Sequence, residues 1–144
     1  MTNALSSLLD HHLSAWPVPN AAGAVFTHGT TVATAGDQNR IFELASVTKL
    51  LSAYSFMVAV EEGVFDLDTV LTKQGATVRH LLSHAGGVGF REEDSRKPVG
   101  TRRIYSSYGF ELLGDRLVSE TKMGLGEYFT AAVFEPLGLS LIHI

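Results

Sequence analysis

The chain has 144 residues, 45% of them hydrophobic and 18% charged, which is enough to bury a core and too apolar for a disordered segment. Fifteen acidic residues against eleven Lys and Arg give a formal charge of −4, and no basic cluster exceeds the short "SRKPVGTRR" at 95–103, so nucleic acid is a poor partner. The absence of cysteine removes disulfides, a thiolate nucleophile and cysteine-based metal sites, leaving covalent chemistry to Ser, Thr, Lys or a carboxylate.

Residues 3–15 carry Leu5, Leu8, Leu9, His12 and Leu13 at helical spacing, and Trp16-Pro17 with Pro19 should end that helix. The same segment lacks a basic region and is interrupted by Asp10, His11 and His12, so it does not read as a signal peptide. No run approaches the roughly 18 apolar residues of a membrane span. A cytoplasmic protein is the expectation, with no membrane association. "AAGAVFTHGTTVATAGD" predicts a β-hairpin, with strands at 21–28 and 31–35, a turn at His28-Gly29 and closure at Gly36-Asp37.

From Ser46 to Glu62 the pattern predicts a helix too apolar all round for a surface position, with Gly63 as its C-cap. "FDLDTVL" is a turn-rich link, "TVRHLLSHAGG" a brief helix stopped by Gly86-Gly87, and 88–104 a long polar loop. A helix through "SSYGFELLGDRLVSETKMG" should end at Gly124, followed by a last one in "LGEYFTAAVFEPLG".

Ser46 and Lys49 stand three apart at the head of the 46–62 helix, a spacing that brings Cβ atoms to about 5–6 Å. A serine becomes a useful nucleophile when a base takes its proton, and lysine serves as that base when burial and nearby positive charge depress its pKa. Spacing alone proves little: Ser119 and Lys122 repeat it at a helix C-terminus, where a lysine ordinarily complements the dipole. The plain alternative for Ser46 is an N-cap beside a snorkelling lysine.

Five collinear phrases separate these readings: "ELASVTKLLSA", "GVFDLDTVL", "TVRHLLSHAGG", "GTRRIYSSYGFELLGDRL" and "EYFTAAVFEPLGL". In this order they resemble the serine β-lactamase-related family, in its class C β-lactamase, D-alanyl-D-alanine carboxypeptidase and esterase branch, over residues 21–139. The resemblance implies an α+β, β-lactamase/transpeptidase-like fold, an antiparallel sheet flanked by helices plus a helical subdomain. It is incomplete here, mostly helical with one N-terminal hairpin, and forms a single domain over 1–144. Residues 139–144, ending in "SLIHI", are expected not to be native family sequence.

The resemblance also assigns roles. Ser46 would be the nucleophile, Lys49 its base, and Tyr105, in the position of the family's Tyr-x-Asn motif, the phenol that passes a proton to the leaving group. Ser107 replaces the asparagine of that motif in substrate binding; one hydroxyl must divide the donor and acceptor roles that an amide fills with separate atoms. An esterase or peptidase relative is therefore expected more than a full-strength β-lactamase.

The family's third motif, a Lys-Thr-Gly or His-x-Gly type triad, has no counterpart up to residue 144, so the second oxyanion donor is missing and the fragment is expected to be inactive. The competing reading is a non-catalytic ligand- or protein-binding module of the same fold.

His80 and His84 are spaced as in zinc proteases, but the intervening glutamate and a third ligand are lacking, so no metal site is expected. The resemblance gives His84 a supporting role in a turn near the active site. Gly86, Gly87 and Gly89 read as loop hinges, and the charged loop around Glu92–Arg96 as solvated. The partner implied is a small-molecule ester or amide, with no metal or organic cofactor; oligomeric state and substrate identity are not legible.

Overall fold

The computed structural model describes residues 2–139 and resolves two compact units, Met1–Glu43 and Leu44–Ile144. The expectation for the "SLIHI" tail at 140–144 lies outside the described residues.

The first unit is a helix on a hairpin. Helix α1 spans Thr2–Ser14 and tightens into i−3 bonds from Ala15 and Trp16 before Pro17 removes the next donor. Strands β1 (Ala22–Thr27) and β2 (Thr30–Gly36) pair antiparallel, with an irregularity between Val25 and Phe26 that leaves Val32 outside the register. The two-residue turn takes His28 and Gly29 both to positive φ, 47° and 77°, the turn whose twist suits a hairpin. Leu13 of α1 is buried together with Ala33 and Ala35 of β2, and the missing Cβ of Gly23 admits Leu9 and Leu13 against β1. Gly36, at φ 74°, closes the hairpin where a Cβ would strike the carbonyl oxygen of Ala21.

The second unit is helical. A single 3₁₀ turn, Ala45–Val47, leads into α2 (Thr48–Glu61), followed by α3 (Val78–Leu82), α4 (Tyr108–Thr121) and α5 (Leu125–Phe129), which runs on as a π turn over Thr130–Phe134. Its core gathers Phe56, Leu81, Leu113, Leu117, Phe129 and Val133, each at most 1% exposed. Phe56 meets Phe129 edge-on at 5.7 Å, an arrangement that suits two ring quadrupoles. The buried Tyr128 hydroxyl donates to Glu62 at 2.6 Å and so ties α5 to the end of α2.

Helix α2 differs from expectation. Its buried positions are Ser52, Ser55, Phe56 and Ala59, whereas Leu50, Tyr54 and Met57 are exposed, Leu50 by 73%. Small residues let neighbouring helices approach, and the two serines satisfy their hydroxyls on the helix itself by donating to the carbonyls of Thr48 and Leu51, so their burial carries no orphaned group. Gly63 follows the helix at φ 73°, as a C-cap glycine should.

Two other ends move as well. Helix α3 stops at Leu82 and the left-handed residue behind it is His84, at φ 60°, so the glycines come after the turn rather than making it. Helix α4 stops at Thr121 with Lys122 at φ 62°, and Gly124 starts α5 instead of ending α4. Gly86, Gly87 and Gly89 are buried rather than hinges: a Cβ on them would collide with the Leu81 side chain, the Lys97 carbonyl and the Asp94 side chain respectively. They are close-approach positions that let the 85–98 loop fold against itself.

Candidate active site

The 3₁₀ turn raises Ser46 at the head of α2. Ala45, just before it, holds φ 45°, a left-handed conformation that an alanine adopts only under constraint from its surroundings. Ser46 is thereby exposed, and Lys49 follows in the first turn of α2, half-buried.

Tyr105 arrives from a part of the chain 59 residues away and donates its phenol to Ser46 Oγ at 2.6 Å. The Lys49 ammonium lies 5.0 Å from the centre of the Tyr105 ring and 5.9 Å from that of Phe110, so aromatic faces border the cation on two sides. The hydrogen bond to Ser46, and next the Lys49 ammonium, hold the Tyr105 phenol below its ordinary range. Ser46 and Tyr105 are thus joined directly, and the Lys49 amine lies against the Tyr105 ring beside them.

Ser107 stands at the N-terminus of α4 and makes no side-chain capping bond. It lines a cavity of about 330 Å³ together with Lys49, Ser52, Phe110 and Glu111, floored by Phe56. Its hydroxyl thus stands on the wall of this cavity beside Lys49, with less reach than an amide would have in its position.

What sequence reasoning missed is the device that holds Tyr105. Ser106 is 1% exposed; its hydroxyl donates to the Gly89 carbonyl at 2.5 Å and accepts from the Gly109 amide at 2.8 Å. That second bond satisfies an amide in the first turn of α4, and it is made by Ser106 rather than by Ser107. A Ser three residues ahead of Gly109 was the available signal. The Ser106 amide in turn donates to His84 Nδ1 at 3.1 Å, and the Ile104 amide to the His84 carbonyl at 2.8 Å.

The remaining candidates have other work. His80 Nδ1 accepts from the Thr77 amide in a capping box at the start of α3, while His84 is turned to Ser106. Among the described residues no group of three or more His, Asp or Glu could hold a metal ion. Lys122 donates to the Ser119 carbonyl in the last turn of α4, so this second Ser-x-x-Lys pairs its amine with backbone rather than with a hydroxyl. The charged loop is exposed, with Glu92 accepting from Tyr108 and Arg96 lying 5.0 Å from the Tyr108 ring. No helix among the described residues is long and apolar enough to cross a membrane.

Comparison with known proteins agrees with this fold. A family model described as Beta-lactamase matches residues 6–144. Penicillin-binding protein 4* of Bacillus subtilis (strain 168) is 24% identical, over 71% of this chain and 30% of its own length. A β-lactamase from Mycobacterium bovis superposes with a TM-score of 0.83 at 48% identity, covering 89% of this chain and 47% of that one. The structure of SurE with D-Leu gives a TM-score of 0.80 at 25% identity, over 95% of this chain and 40% of the other. The chain therefore spans less than half the length of each of these relatives. With the match running over nearly all of its residues, the chain belongs to the β-lactamase family.

Proposed function

We propose that the chain carries the nucleophile side of a serine hydrolase that forms an acyl-enzyme with an ester or amide. The observation that carries this reading is the 2.6 Å hydrogen bond between Tyr105 and Ser46, two residues far apart in sequence, beside the Lys49 ammonium. A surface serine that only starts a helix has no need of such a partner.

Ser46 Oγ attacks the carbonyl carbon while its proton passes to the neutral form of Lys49, or to Tyr105 as phenolate. The tetrahedral oxyanion is met on this chain by the Ser46 amide. Its collapse breaks the bond to the leaving alcohol or amine, which takes the proton back through Tyr105, and leaves Ser46 acylated. Water, deprotonated by the same groups, then releases the acid. The cavity lined by Lys49 and Ser107, though not by Ser46 or Tyr105, offers room beside the reacting pair for a substrate group. One relative is named as a penicillin-binding protein, and the β-lactam of penicillin is an amide, which supports amides among the substrates.

Incubation with a fluorophosphonate or a penicillin, followed by mass-spectrometric mapping, tests the reading. The adduct is expected on Ser46, absent in Ser46→Ala and slowed about 10²- to 10⁴-fold in Tyr105→Phe, the range typical of a lost proton-transfer group. The full-length gene product is labelled beside this chain, because the chain alone is expected to be inactive; a folded full-length product that stays unlabelled at Ser46, or labels equally well without Tyr105, overturns the reading.

A further inference from the structure

His84 takes no part in the chemistry proposed above, yet it touches every part of the segment that delivers Tyr105. Its carbonyl accepts from the Ile104 amide at 2.8 Å and its Nδ1 accepts from the Ser106 amide at 3.1 Å, so the two bonds straddle Tyr105 in sequence. Its ring packs 4.8 Å from the Tyr105 ring and 5.4 Å from that of Phe110. The side chain is buried, and its backbone sits at φ 60°, where a non-glycine residue needs a compensating reason.

We propose that His84 is a positioning residue that holds Tyr105 against Ser46 while its imidazole is neutral and releases it when the ring takes a proton. The proposal rests on the reading of Ser46 and Tyr105 as the reacting pair. The chemistry is one of donor and acceptor count. Neutral imidazole offers a lone pair at one nitrogen, and here that nitrogen faces an N–H; the imidazolium carries a proton on both. Protonation therefore sets Nδ1–H against the Ser106 N–H in a buried place, which breaks the bond that anchors the residue next to Tyr105.

Burial is the main opposition to a positive charge on the ring, and the cationic Arg103, from the loop ahead of Tyr105, and Lys49 of α2 add to it. These effects lower the pH at which the ring protonates, so the clamp stays closed at neutral pH and opens in acid.

His84→Asn separates this role from mere filling. The asparagine carboxamide oxygen can take the Nδ1 position as an acceptor, asparagine tolerates positive φ, and it does not titrate. His84→Leu keeps bulk and removes the acceptor. The first readout is NMR of the chain itself: the Ser106 amide and Tyr105 ring signals should titrate with the His84 imidazole in the wild type and stay flat between pH 7 and 5 in His84→Asn. The second is the rate of Ser46 labelling by a fluorophosphonate. Below the His84 midpoint the wild type should lose about a hundredfold per pH unit, one proton at His84 and one at the base, against about tenfold in His84→Asn. His84→Leu, if folded, should label slowly at every pH. Signals of Ser106 and Tyr105 that ignore His84 protonation, or a His84→Asn profile that matches the wild type, overturn the proposal. Failure of Ser46 to label in any variant speaks against the catalytic reading alone, and the NMR titration still decides the clamp.

Discussion

Tyr105 is about half exposed, and its phenol depends on two partners rather than on burial for its acidity. Because Ser46 and then Lys49 stabilise the ionised form, base-assisted acylation should rise with pH towards a midpoint below the ordinary tyrosine value, and Tyr105→Phe should flatten that rise; labelling rates between pH 7 and 10 measure it. His84 has the opposite consequence for stability. Its folded pKa lies below the unfolded one, so the unfolded chain binds the proton first as pH falls. The contribution of the neutral ring is whole above roughly pH 6.5 and is lost as pH drops through the folded value. Urea midpoints should decline from pH 7 to pH 5 in the wild type and less in His84→Asn. Ser106→Ala should be costly for a different reason: it strands the buried Gly89 carbonyl and the Gly109 amide, at about 1–3 kcal/mol, readable from denaturant unfolding.

The elements that carry the site are held by contacts well away from it. Leu113 of α4 is fully buried against the core that also anchors α2 and α5, and Leu113→Ala should cost about 2–5 kcal/mol by calorimetry or urea titration. Gly87, whose carbonyl accepts from the Lys97 amide at 2.8 Å, sits where a Cβ would meet the Lys97 carbonyl at a positive φ. Gly87→Ala should therefore loosen the loop that supplies Gly89 to Ser106, and slow Ser46 labelling more than a surface Gly75→Ala, whose site is open although its φ is also positive. At this scale the sequence located α1 to α5 and both strands, but it misplaced the ends of α3 and α4, where His84 and Lys122 rather than a glycine took the left-handed turn. His84 and Lys122 do so because hydrogen bonds from elsewhere in the fold, or from the helix end itself, stabilise them there.

At the scale of the whole molecule the described residues leave Val47, Leu50, Tyr54 and Met57 as an apolar stripe along α2, at helical spacing. Replacing Leu50 and Met57 with lysine should lower dye binding to exposed apolar surface while leaving the unfolding midpoint within about 0.5 kcal/mol, because neither side chain is buried. Hydrophobicity averaged along the segment predicts burial on every side. It cannot know that α4 and α5 meet the helix on the face that carries Phe56, whose ring lies against Phe110 and Phe129.

The sequence by itself determined the family, the helix–hairpin start, the order of the helices and the candidate trio Ser46, Lys49 and Tyr105, because periodicity, turn residues and collinear motifs are local features of a chain. Only the tertiary structure decided that Tyr105 meets Ser46 at hydrogen-bond distance, that the Ser106 and not the Ser107 hydroxyl accepts from the first turn of α4, and that His84 is hydrogen-bonded to the residues on either side of Tyr105. Those are contacts between residues separated by up to 59 positions, or choices of which neighbouring hydroxyl turns inward. Spacing along a chain carries no information about either until the core has brought the segments together.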